Sequence, residues 1–325
     1  WRDPFIFSAD GRNFLVLAGD TDEMLEVALY EAVDDSLTRW HYCGPLVREP
    51  SDARRRFLEC PNFVQIPPSE PGGEAKWILL TSPYSCVEYT TGRFDPSTLA
   101  FTPEQHGILD AGQNDVPNFY ATNFLDDTDG NCVLLGWARG FEKGRGWNGA
   151  LALPRLLTVG PDGKPRQQPL PALRSLRGVQ ISLRPFAVEN GSMVVPGVSG
   201  DALEIQATLR LEPPEESGLR MKKAAAAGLR VRSSGDGHRG VEIRWDGARL
   251  SVAGCSVDLP AEVGSELTLD IFLDKSLLEV FANGGRVAMT RVVHAPAEDL
   301  AVEVFSEQGT TYVDRIDVWK MKGIW

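Results

Sequence analysis

Two acidic residues occupy places where acids are uncommon. Glu59, in the stretch RFLECPNFVQI, stands beside a cysteine and a proline among the apolar residues Phe57, Leu58, Phe63, Val64 and Ile66. Asp3 stands in the opening WRDPFIF, just before another apolar run. A carboxylate in a buried strand needs a partner, a shifted pKa or a function. A pair of carboxylates has a well-defined use. Cleavage of a glycosidic bond requires a proton donor for the leaving oxygen and a carboxylate across the sugar, about 5–5.5 Å away when configuration is retained. Crowding of the two anions would favour a protonated Glu59, the state an acid catalyst needs. The alternative is a pair of ordinary strand-end carboxylates bonded to backbone N–H groups, and residue types alone leave both readings open.

The elements around these acids repeat. A short polar motif enters an apolar strand, a turn follows, and a second strongly apolar strand returns: WRDPFIF with FLVLAGD, LECPNFVQI with WILLTS, NFYATNFL with VLLGWA. Asp3, Glu59 and Tyr120 mark steps of roughly 60 residues, longer than the ~40–50 of familiar propeller blades and consistent with four-stranded sheets carrying elaborated loops. Innermost strands of successive blades face one axis, so the three residues are expected to become neighbours. Three blades leave open edges, whereas propellers close with about 4–8. The sequence therefore predicts a propeller portion whose remaining blades lie outside these 325 residues.

Residues 1–175 form this predicted propeller portion, and the Pro- and Arg-rich segment GPDGKPRQQPLPALRSLRG leads out of it. Residues 176–198 are expected as a linker and 199–325 as a second all-β domain. There, about eight alternating strands with short Gly or Asn turns, ending in LAVEVFS and YVDRIDVWKM, suggest a β-sandwich. The one helix-prone stretch, MKKAAAAG, is expected as a linker or strand lead-in. The 32 Gly and 22 Pro are scattered, which favours many short strands over long helices.

A net charge of −12 disfavours nucleic acid and anionic membrane as partners and suits a neutral ligand. No apolar run approaches the ~20 residues of a membrane-spanning helix. Five cysteines without CxxC spacing indicate free thiols rather than a disulfide framework or zinc site, and four scattered histidines carry no metal-ligating pattern. No metal or cofactor is expected. The compartment stays open, secreted and cytoplasmic both being compatible.

WRDPF at 1–5, ECPNF at 59–63, NFYATNF at 118–124 and GWNGALALPR at 146–155 occur in the order found in glycoside hydrolase family 32, the β-fructofuranosidases. DIFLDKSLLEVFANGG at 270–285 resembles that family's late strand pair. The resemblance spans nearly the whole chain and implies a five-bladed propeller followed by a sandwich. It implies retaining cleavage of terminal β-fructofuranosides such as sucrose, inulin and levan. By motif, Glu59 would be the general acid/base, Asp3 the carboxylate that holds the fructosyl hydroxyls and stabilises the transition state, and Arg2 a further sugar and carboxylate contact. Tyr120 and Trp147 match positions near the sugar; propeller packing is the other role open to each. Cys60 is grouped with the substrate-binding residues as a small side chain packed beside the acid, not as a nucleophile. Leu58 stands where an aromatic is usual and Asn62 where Asp is frequent, and neither change removes the acid. Asp110 and Asp115 could bond sugar hydroxyls or cap loops, and the DARRRF cations at 52–57 are expected in a solvated loop.

The family's nucleophile is an aspartate in a WMNDPNG-like motif upstream of RDP, and no such stretch occurs in the sequence. The resemblance thus implies about two further blades, and possible partners are a separate N-terminal segment and a fructose-containing oligo- or polysaccharide. A fructosyltransferase of the same family and an inactive or purely fructoside-binding fragment are the alternative functions.

Overall fold

The computed structural model describes residues 1–325 except 22–23, 52–56, 113–117, 129, 145, 213–221, 261–263 and 325. Asp115 and most of the DARRRF run therefore lie outside the described residues. The chain divides into two compact units, Trp1–Leu170 and Pro171–Trp325.

The first unit is built from three antiparallel sheets in sequence order. The first runs β1 (Arg2–Ala9), β2 (Arg12–Thr21), β3 (Met24–Ala32) and β4 (Trp40–Pro50), each strand beside the next. The second repeats this with β5 (Glu59–Ile66), β6 (Lys76–Ser82), β7 (Glu88–Asp95) and β8 (Ala100–Ile108). In the third, β9 (Phe119–Asp126) pairs with β10 (Cys132–Ala138), whose other edge takes β11 (Ala150–Leu151) and β12 (Arg155–Val159), followed by β13 (Pro165–Pro169). These are the three expected blades. Burial alternates along β1 and much of β2, whereas β6 is buried along its whole length. Between the first two, Phe7, Phe14, Phe63, Trp77 and Phe94 form one buried aromatic cluster. The Phe63 and Trp77 rings stack at 4.9 Å, and Phe7 meets Phe63 edge-on at 5.1 Å.

The third blade is pinned by a buried ion pair. Arg155 is fully buried, and its Nη1 donates to Asp110 Oδ2 and to Gln167 Oε1, both at 2.8 Å, while its guanidinium lies 4.1 Å over the Phe119 ring. Asp110, expected as a loop cap or sugar ligand, is thus a structural anion 3% exposed. Removing the cation would strand this carboxylate in the interior. Arg155→Met is expected to cost about 3–5 kcal/mol in urea unfolding; an unchanged midpoint would contradict that role.

The second unit opens with a 3-10 turn (Pro171–Leu176) and β14 (Arg177–Leu183), β15 (Phe186–Ser199), β16 (Ala202–Arg210) and β17 (Ala226–Ser233). It continues through β18 (Val241–Trp245), β19 (Arg249–Val252), β20 (Cys255–Asp258), β21 (Glu266–Asp274), β22 (Leu277–Ala282), β23 (Val287–Val292) and β24 (Ala301–Met321). The segment expected as a linker is therefore a pair of strands, and the last two expected strands are one. β24 joins two layers. Its first half lies between β15 and β17, continuing to β18, β19 and β20; its second half lies between β14 and β16, continuing to β21, β22 and β23. Leu203, Ile205, Leu209, Leu229, Val231, Leu278 and Val304 supply a fully buried core. The alanine-rich stretch is the lead-in to β17, as expected.

Candidate functional site

Each innermost strand of the three sheets carries a one-residue bulge at the same place. On β1, Arg2 faces Ala18 and Phe5 faces Val16; on β5, Glu59 faces Ser82 and Asn62 faces Leu80; on β9, Tyr120 faces Trp137 and Asn123 faces Leu135. The first extra residue has left-handed backbone in all three: Asp3 at φ 60°, Cys60 at 49° and Ala121 at 46°. Such torsions are uncommon outside glycine and are held by surrounding structure. A bulge re-aims the side chain beside it. Structural equivalence therefore joins Arg2, Glu59 and Tyr120, one residue off the register read from sequence, and makes Cys60 the counterpart of Asp3.

The re-aimed side chains meet. Arg2 Nη1 lies 3.0 Å from Glu59 Oε1, and the Tyr120 hydroxyl is 2.9 Å from Glu59 Oε2. Asp3 joins from the next position, its Oδ2 accepting the Cys60 backbone N–H at 3.0 Å. Thr122 donates to Asn62 at 2.8 Å, and the Ala121 N–H donates to Ser82 Oγ at 3.2 Å, so consecutive blades are laced at the site. Of the residues expected there, Asp3, Glu59, Arg2, Cys60 and Tyr120 come together. Trp147 joins none of these bonds; half exposed, it packs on Phe141 with ring centroids 4.9 Å apart.

Tyr84 and Ser82 belong to the cluster and were not legible in the sequence. Arg2 Nη2 donates to the Tyr84 hydroxyl at 2.9 Å, and the Tyr84 N–H donates to the Tyr120 oxygen at 3.0 Å. Ser82 offers its carbonyl to the Tyr120 hydroxyl at 2.8 Å. Tyr84 sits in the loop after β6 with a left-handed φ of 62°. Its only sequence signal is a tyrosine following a strand that pairs with the Glu59 strand.

The electrostatics fix two protonation states. Burial, reinforced by the hydrogen bond to Glu59, raises the Tyr120 phenol well above its ordinary value, so it keeps its proton and acts as a donor. That single hydrogen has two acceptors within reach, the Ser82 carbonyl and the Glu59 carboxylate. Burial and then the negative charges of Asp3 and Glu59 push the Cys60 thiol up to about 12. It stays a thiol at neutral pH and is no nucleophile. Iodoacetamide at pH 8 is expected to label Cys60 only after denaturation, as read by peptide mass; rapid labelling of the native protein would contradict this. All five cysteines are free. Among the described residues no group of three or more His, Cys, Asp or Glu is placed to hold a metal ion.

Comparison with known proteins gives the site a context. The family model described as "Glycosyl hydrolases family 32 N-terminal domain" matches residues 1–169, and "Glycosyl hydrolases family 32 C terminal" matches 172–320. The sucrose-6-phosphate hydrolase of Escherichia coli is 25% identical over an alignment covering 99% of this chain and 67% of that protein. The extracellular exo-inulinase of Aspergillus awamori is likewise 25% identical, with 100% of this chain and 65% of that protein aligned. The chain thus spans about two thirds of the length of these curated relatives (67% and 65%). In fold it is similar to fructan 1-exohydrolase IIa from Cichorium intybus, with a TM-score of 0.81 at 19% identity, covering 98% of this chain and 71% of that one.

Proposed function

The chain belongs to glycosyl hydrolase family 32, and from that premise we propose that it is part of a retaining hydrolase of terminal β-D-fructofuranosides, with Glu59 as general acid/base and Asp3 as transition-state stabiliser. The observation that carries the reading is the convergence of Arg2, Glu59 and Tyr120 from three successive inner strands, with Asp3 tied to the same cluster through Cys60. The names of the relatives, sucrose-6-phosphate hydrolase and exo-inulinase, support the substrate class.

The chemistry follows from the contacts. Protonated Glu59 gives its proton to the glycosidic oxygen as the bond to the fructosyl carbon breaks, and the leaving sugar departs as an alcohol. Glu59 becomes an anion at that moment. Arg2, 3.0 Å away, balances the new charge, and the Tyr120 hydrogen turns from the Ser82 carbonyl to the carboxylate. Asp3 accepts hydrogen bonds from fructosyl hydroxyls and offsets the positive charge developing on the ring. Retention requires a second carboxylate across the sugar to hold the fructosyl group until Glu59, now a base, activates water. We place that nucleophile on a blade beyond the three described.

The test is product analysis. The protein, supplied with any further blades of its propeller, is expected to release fructose from sucrose or a fructan, and in methanol to form methyl β-D-fructofuranoside. The α-anomer would overturn retention, and no fructose release from either substrate would overturn the assignment.

A further inference from the structure

Tyr84 is held in a way that its packing does not require. The residue is 49% exposed, so its ring fills no core. Its backbone nevertheless takes a left-handed φ of 62°, which is uncommon for a bulky side chain and persists where surrounding contacts over-determine it. Those contacts form a closed circuit. Arg2 Nη1 lies 3.0 Å from Glu59 Oε1, and Arg2 Nη2 donates to the Tyr84 hydroxyl at 2.9 Å. The Tyr84 N–H donates to the Tyr120 oxygen at 3.0 Å, and the Tyr120 hydroxyl reaches Glu59 Oε2 at 2.9 Å. Burial, then a hydrogen bond to Glu59, raises the Tyr84 phenol above its ordinary value, so its hydroxyl keeps a hydrogen to give at neutral pH.

This circuit bears on the charge of Glu59. The groups around that carboxyl are Arg2 and Asp3 from β1, Cys60 beside it on β5, Tyr84 from the loop after β6, and Tyr120 from β9 with Arg139 over its ring at 4.9 Å. Among these described residues Arg2 is the cation in contact with Glu59, and Asp3 opposes it. The Arg2 side chain is half exposed, and a long cation open to water contributes little unless its geometry is fixed. Two groups fix it. The Phe57 ring lies 4.6 Å from the guanidinium carbon and sets its plane, and the Tyr84 oxygen takes the second nitrogen of the fork. Removing that oxygen would take one donor from the Glu59 anion and loosen its cation. Both losses favour the protonated acid, so their effects add.

We propose that Tyr84 is a positioning residue for the proton donor: its hydroxyl holds Arg2 against Glu59 and thereby sets the pH at which Glu59 gives up its proton. The consequence for turnover rests on the fructoside-hydrolase reading; the titration itself does not. Tyr84→Phe removes the hydroxyl and keeps the ring and the backbone N–H that meets Tyr120. Carbon-13 NMR of glutamate carboxyl groups in the full chain, with the Glu59 signal assigned by its loss in Glu59→Gln, gives the direct readout. In Tyr84→Phe the Glu59 titration is expected to move to higher pH by about half a unit or more. Tyr84→Gln, whose amide can accept from Arg2 and donate to Glu59, should lie between the two, which separates loss of the hydrogen bonds from loss of the ring. In turnover of sucrose by the completed propeller, the alkaline limb of the kcat/KM profile should move upward with the titration. A Glu59 titration unmoved or lowered in Tyr84→Phe would overturn the proposal and leave Tyr84 a loop anchor. A raised titration in a protein that releases no fructose would support the positioning role and contradict the hydrolase reading.

Discussion

Replacing Glu59 with Gln is expected to lower fructose release from sucrose by about 10²–10⁴-fold, the contribution a positioned proton donor makes. The substitution is nearly isosteric, so the loss reports on the proton rather than on packing. Tyr120 can still donate to the amide oxygen, and the ion pair that is lost joins a half-exposed Arg2 to a carboxylate whose side chain is 14% exposed. An ion pair open to water on one side contributes little, so unfolding free energy should change by no more than about 1 kcal/mol. Sucrose turnover beside urea unfolding checks both halves. A fully active Glu59→Gln protein would remove Glu59 from the mechanism.

Asp3→Asn is expected to reduce kcat by about 10²–10³-fold, comparable with removing one preorganised group that stabilises a charged transition state. The neutral amide cannot offset positive charge on the sugar ring. It can still accept the Cys60 N–H that Asp3 accepts at 3.0 Å. Asn also tolerates the left-handed backbone found at φ 60°. Asp3→Ala would be a poorer test, since it would leave that N–H without its acceptor. Steady-state kinetics on sucrose give the readout; a kcat equal to that of the unaltered protein would make Asp3 a structural tether and nothing more.

The two acids illustrate what sequence alone can reveal. Each lies within two residues of a proline at the entry of an apolar strand, so β1 and β5 are visible as text and both acids fall at equivalent ends of repeated sheets. The bulges are invisible, because Cys60 and Ala121 adopt backbone that sequence statistics reserve mainly for glycine. That is why the equivalence was displaced by one residue, pairing Asp3 rather than Arg2 with Glu59. Asp110 was misread because its partner, Arg155, is distant in sequence and the pairing is purely tertiary. β14 escaped notice because most of its residues are exposed or half buried, leaving no apolar alternation to read. Tyr84 and Ser82 enter the site partly through backbone groups, the Tyr84 N–H and the Ser82 carbonyl, which carry no residue-specific signal, and partly through hydroxyls whose partners, Arg2 and Ala121, are brought to them only by tertiary packing.

The most direct measurement of the central claim, that Glu59 supplies the leaving-group proton, is the first-turnover rate of Glu59→Gln on two fructosides that differ only in leaving group. An aryl β-fructofuranoside with an acidic phenol needs no protonation to depart, whereas sucrose does. The account predicts that Glu59→Gln loses orders of magnitude on sucrose and stays within about tenfold of the unaltered protein on the aryl substrate. The same large loss on both substrates would contradict it.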